Sequence, residues 1–416
     1  MLQKRKVLPS VLLAILSTLG ILFGLVVIGI LLVNILLPQH DINQPVNGNA
    51  VFSNYAIMAL AVTTCGVNTL TLIASVQYLR EKESTPLPSS TSTTKIALFL
   101  LWALSLIAGY FASQNNDWYA ALALLTTIAV SLPIILLITL ARSGLKRSTR
   151  QRELGAITLG LTISPLLIII IESILIILAV VSVFILIGTQ NQLPQQIPLL
   201  LESISGSNSG IEQLESVLFD LMKEPIIALA VFLSLGVIAP MIEEIFKPMV
   251  VWFLLNRPLH DHEGYALGLI SGGAFALLES AGMVIQMNPQ DWLTAVILRA
   301  ATGVLHIGLS GMVGFGLVRS KTIRRFERGI LFILLAGALH GAWNSLALYS
   351  GLAAYPALED PAMYQPDAEV IISVALMVMV FFAVIVINIF INRFIQRNTH
   401  HPESPRKYVS QLEKTK

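Results

Sequence analysis

Apolar stretches long enough to cross a bilayer alternate along this chain with short polar segments. A spanning helix needs about 20 residues, because the hydrocarbon core is about 30 Å thick and each helical residue rises about 1.5 Å. Ten runs reach that length: Val11 to Leu37, Tyr55 to Leu79, Ile96 to Ser113, Tyr119 to Ala141, Ala156 to Gly188, Pro225 to Leu255, Gly264 to Gln286, Thr294 to Val318, Gly329 to Ser350 and Val370 to Ile391. The pattern predicts an all-α fold, a polytopic bundle of about ten transmembrane helices. Residues 189–224 form the longest polar segment. In it Ile211, Leu214, Leu218 and Leu221 recur at helical spacing, which predicts an amphipathic helix lying on the interface. A Ser/Thr/Pro linker runs from Ser84 to Thr94, and the tail beyond Arg397 reads as disordered.

Composition closes off the soluble alternative. Only 12% of the residues are charged while 55% are hydrophobic, and mean hydropathy is +0.77. So few charges cannot cover the surface of a water-soluble protein of this size. The single cysteine, Cys65, excludes an internal disulfide and any cysteine-based metal site. A net charge of +2 gives no reason to expect a nucleic-acid partner.

The positions of the charges say more than their number. Twenty-three of the 26 lysines and arginines fall in alternate inter-helix segments and the two termini, starting with Lys4, Arg5 and Lys6. By the positive-inside rule both termini are cytoplasmic, in a multi-pass protein of the cell membrane. The first apolar run is too long for a signal peptide and no small-residue cleavage site follows it, so it reads as an uncleaved span.

Six charged residues remain within the spans: Glu172, Glu243, Glu244, Lys247, Glu279 and Arg299, joined by His306 and His340. All but Glu172 lie on four consecutive helices. Five central charges cost roughly 12–17 kcal/mol to insert before pairing, which rivals the stability of a whole domain. Glu243, Glu244, Glu279, His306 and His340 all fall near the middle of their helices and are expected to face one polar cavity. Lys247 follows Glu243 by four residues and Glu244 by three, so one ammonium can pair with either carboxylate. Pro240 and Pro248 bracket that quartet. A helix opened there would free carbonyls, tolerable only where protein or water meets them. Gly264, Gly268 and Gly272 make a close-packing face leading to Glu279. Paired carboxylates with histidine and amide donors are what activation of water and return of its proton require. Glu172 stands apart and reads as structural.

Four motifs in order, Glu243-Glu244-Ile245-Phe246-Lys247-Pro248, Phe275 to Glu279, Arg299 with His306, and His340-Gly341-Ala342-Trp343-Asn344, resemble the PrsW family of intramembrane proteases and, more distantly, the superfamily of the CAAX prenyl endopeptidases. The likeness covers roughly Pro225 to Ser350. It implies hydrolysis of a peptide bond within the membrane, with a membrane-anchored protein as partner, such as an anti-sigma-factor-like regulator. Carried onto this chain, Glu243 or Glu244 is the base and Lys247 holds the other. His340 and Asn344 stabilise the oxyanion, His306 and Glu279 position water or return the proton, and Arg299 supports a glutamate. The family usually has Asn after the glutamate of the second motif, where this chain has Ser280. No cofactor is favoured, because Lys247 competes with a cation. The zinc alternative uses Glu244, Glu279, His306 and His340.

Other chemistries make distinct demands. No aspartate lies in a span, which excludes an aspartyl dyad, and His262-Glu263-Gly264-Tyr265-Ala266 lacks the second histidine of a zinc-protease helix. Gly308-Leu309-Ser310-Gly311 imitates a rhomboid serine motif with His340 as base, but leaves the glutamates unexplained. A proton-coupled transporter would also use buried Glu and His, though such proteins show repeat symmetry and here the charges occupy one half. A catalytically dead scaffold has no use for the complete motif set. The chain therefore divides into five N-terminal helices (1–188), a polar loop (189–224), a four-helix protease core (225–350), a loop and last helix (351–391) and a cytoplasmic tail (392–416).

Overall fold

The computed structural model describes residues 2–36, 48–80, 86, 88–188, 224–354 and 367–400. The amphipathic segment expected within 189–224 and the tail beyond residue 400 lie outside them. The helices are α1 (Leu2–Leu36), α2 (Gly48–Leu79), α3 (Ser92–Ser113), α4 (Tyr119–Ala141), α5 (Arg150–Leu161) and α6 (Ile163–Gly188). After the polar loop come α7 (Pro225–Leu233), a π-turn (Ser234–Ile238), α8 (Ala239–Phe246), α9 (Met249–Leu254), α10 (Asp261–Gln286), α11 (Trp292–Thr322), α12 (Phe326–Ala354) and α13 (Ala368–His400). Among the described residues there is no β-strand, only an isolated bridge between Pro86 and Thr149. Among the described residues, ten helical segments are long and apolar enough to cross a membrane, matching the ten runs in the sequence.

Two of those spans are interrupted. The fifth is α5 followed by α6, broken at Thr162, where Pro165 has no N–H to return to the preceding turn. The sixth is α7, the π-turn, α8 and α9 in series. Pro240 lacks the donor that a regular helix would use at this point, and the chain widens into the π-turn one turn earlier. Pro248 breaks the helix again between α8 and α9.

The packing centre is the α10–α11 pair. An ideal Cβ on Gly264, Gly268 or Gly272 would come within 2.6, 2.3 or 2.4 Å of the carbonyl oxygens of Gly314, Ser310 and His306. Only hydrogen fits there, and the two backbones close to contact. This brings His306 beside the α10 residues that precede Glu279. The helices α2, α4 and α5 pack on the other side of α10, and α12 and α13 on α11. Polar pins join the N-terminal helices to the core. Trp292 Nε1 donates to Thr126 Oγ1 at 2.7 Å, and Arg152 pairs with Glu263 at 2.6 Å. Tyr265 donates to Asn388 Oδ1 at 2.9 Å, fixing α13 against α10.

Candidate active site

The break at Pro248 exposes the carbonyls of Phe246 and Lys247, as the proline bracket in the sequence led one to expect. Ser164 of α6 donates to the first, and Ser271 of α10 donates to the second at 2.5 Å. Two hydroxyls thus replace the backbone donors that the break removed. They also fasten α8 between α6 and α10, so that the turn carrying Glu243, Glu244 and Lys247 is held from both sides.

Lys247 is the hub. Its side chain is fully buried, and Nζ lies 2.7 Å from Glu243 Oε2, 2.9 Å from Glu244 Oε1 and 2.7 Å from His306 Nδ1. An ammonium carries three protons and no acceptor, so it donates to His306 Nδ1 and leaves the imidazole proton on Nε2. That nitrogen lies 2.7 Å from Glu279 Oε2, off-line for a good hydrogen bond. The face of Phe275 covers the ammonium at 4.7 Å, excluding water and adding a cation–π contact.

The two adjacent glutamates differ sharply in environment. The Glu244 side chain is fully enclosed, paired with Lys247 and 3.0 Å from His340 Nδ1. Glu243 retains 12% of its side-chain surface, and its Oε2 is 3.9 Å from His340 Nε2. Glu279 is the most open at 35%, paired with Arg299 at 3.1 Å. Arg299 Nε also donates to Ser280 Oγ at 3.3 Å, the position where this chain departs from the family motif. The rings of His306 and His340 meet edge to face at 5.1 Å. Glu243, Glu244, Lys247, Glu279, Arg299, His306 and His340 thus form one continuous cluster across four spans. Asn344 joins it only indirectly: its Nδ2 donates to the Leu235 carbonyl at 3.2 Å, in the π-turn.

Ser310, one turn after His306, is fully buried in the α10–α11 seam against Gly272, and among the described residues its Oγ has no hydrogen-bond partner. Glu263, of the zinc-protease look-alike, pairs with Arg152 and accepts from Ser148 at 3.0 Å, a structural role. Three contributors lie outside the sequence motifs: Ser164, Ser271 and the Leu235 carbonyl. No local sequence signal marks them, since each acts only through a helix break remote from it in the chain.

Glu243, His306 and His340 offer ligand atoms within 4.8 Å of one another, the donor types of a zinc site. Yet the Lys247 ammonium stands against both Glu243 and His306 Nδ1, and the other His306 nitrogen faces Glu279. A dication bound to that trio would have to displace a buried ammonium, so the residues as arranged do not fit one.

A family model described as PrsW family intramembrane metalloprotease matches residues 204–395. Comparison with curated proteins and with solved structures finds no match.

Proposed function

We propose, on the premise that residues 204–395 belong to the PrsW family of intramembrane proteases, that this chain cleaves a membrane-anchored protein with a water activated by Glu243. The observation that carries the reading is the asymmetry of the glutamate pair. Lys247 and His340 enclose Glu244, while Glu243 keeps 12% of its side-chain surface exposed and sets its buried Oε2 beside the same two groups. Glu243 takes a proton from water as the water oxygen bonds to the scissile carbonyl carbon. His340, with Nδ1 against the Glu244 carboxylate, turns Nε2 toward the developing oxyanion. A donor so aimed is worth about 3–4 kcal/mol. As the carbon–nitrogen bond breaks, the proton passes from Glu243 to the leaving amine. Glu279 and Arg299 form the open wall where substrate enters, with His306 linking that wall to Lys247. Asn344 holds the π-turn in shape through the Leu235 carbonyl. The substrate class is a single-span regulator of the anti-sigma-factor kind.

The test is cleavage of a single-span substrate by the purified protein in proteoliposomes. Glu243→Gln should lower the rate by a factor of about 10³ or more with the fold retained, and a chelator should leave the wild type unaffected. Undiminished cleavage by Glu243→Gln sinks the glutamate mechanism. Loss to the chelator, restored by zinc, makes the protein a metalloprotease.

A further inference from the structure

Glu172 of α6 comes from outside the matched segment, and the cluster described above does not use it. Its Oε1 is buried and, among the described residues, has no hydrogen-bond partner. Ser164, Ile168 and Glu172 recur every four residues on one face of α6, the first two buried against the core. Ser164 bonds the Phe246 carbonyl and so brings α6 and α8 to a common level. From that level Glu172 lies about 12 Å along α6, and Glu243 about 4.5 Å back along antiparallel α8. Their backbones are therefore offset by roughly 7 Å. Helical side chains lean toward their own N-termini, so on antiparallel helices these two carboxyls lean toward each other. Consistently, the charges of Glu243, Lys247 and Glu279 all act on Glu172.

An offset of roughly 7 Å corresponds to about two residues of extended chain. A substrate helix must unwind to present its peptide bond, and in a bilayer every N–H so released needs an acceptor. We infer that Glu172 is a substrate-binding residue, its free oxygen accepting a main-chain N–H of the unwound substrate within two residues of the scissile bond. The five N-terminal helices would then complete the substrate site as well as support the core. This rests on the protease reading.

Full-length protein in proteoliposomes would be given a pool of fluorescent synthetic single-span peptides of about 20 apolar residues, with randomised central residues. The cut would be mapped by mass spectrometry. Each nearby peptide nitrogen of a cleaved peptide would then be methylated in turn, removing one donor at a time. In the wild type, methylation at one position within two residues of the cut should raise KM about tenfold with little change in kcat. Glu172→Leu should itself raise KM and be insensitive to methylation there. Glu172→Gln, which keeps a carbonyl acceptor, should behave like the wild type. A purely structural Glu172 would leave the methylation response intact in Glu172→Leu. That result overturns the inference, and the protease reading survives provided Glu243→Gln still abolishes cleavage. No cleavage of any peptide by the wild type would defeat both.

Discussion

At the scale of single residues, Lys247 decides the character of the site. A buried ammonium with two carboxylates and an imidazole around it neutralises charge that the bilayer would otherwise penalise. Lys247→Met would leave Glu243 and Glu244 buried side by side without a cation. Removing one partner of a buried ion pair costs about 3–5 kcal/mol, so the thermal midpoint in detergent should fall steeply and activity should vanish. Adding Glu244→Gln removes one of the two orphaned charges and should recover part of the midpoint but none of the activity, since His340 loses the carboxylate beside Nδ1. A double mutant no more stable than the single would show that the loss comes from packing. The spacing of Glu243, Glu244 and Lys247 made their pairing legible in the sequence. Which glutamate stays open was not, because that depends on His340, nearly a hundred positions away, closing over Glu244. Asn344 was readable as a polar residue one turn after His340, but its partner was not. The Leu235 carbonyl is free only because the chain widens into a π-turn there.

At the scale of elements, the helix breaks and the glycine seam do the positioning. The prolines and the four-residue glycine steps were plain in the sequence, as was the requirement that freed carbonyls find donors. The donors themselves were hidden: Ser164 and Ser271 sit on different helices, and nothing in their neighbourhoods distinguishes them from other membrane serines. Ser164→Ala with Ser271→Ala should cost about 1–3 kcal/mol per uncapped carbonyl and loosen the turn bearing Lys247. The expected readout is lower kcat together with a lower unfolding midpoint. Gly268→Ala tests the seam independently. Its new Cβ would stand 2.3 Å from the Ser310 carbonyl oxygen, a backbone atom that cannot swing away. Such overpacking costs about 1–3 kcal/mol, and by pushing α11 outward it should move His306 off Lys247. Unchanged stability in Gly268→Ala would mean that α10 and α11 are less closely packed than the glycine steps require.

At the scale of the whole molecule, ten spans form one bundle, with the matched family segment at one side and the remaining helices pinned to it by Trp292–Thr126 and Arg152–Glu263. The number and limits of the spans were legible because bilayer thickness fixes the length of an apolar run. The docking of α2, α4 and α5 on α10 was not, since lipid-facing and helix-facing residues in a membrane are equally apolar. Orientation is a separate matter, carried by basic residues at one end of the bundle. An even number of spans returns the chain to the side it started from, and by the positive-inside rule the arginines and lysines predict that this side is the cytoplasm. In a Cys65→Ser background, Asn116→Cys lies in an exposed turn at the end poor in basic residues, and Arg325→Cys is exposed at the opposite end. A membrane-impermeant maleimide applied to intact cells should label the first and reach the second only after permeabilisation. Labelling of both without permeabilisation would break the alternation of spans. The reverse pattern would invert the protein and move the opening beside Glu279 to the other leaflet.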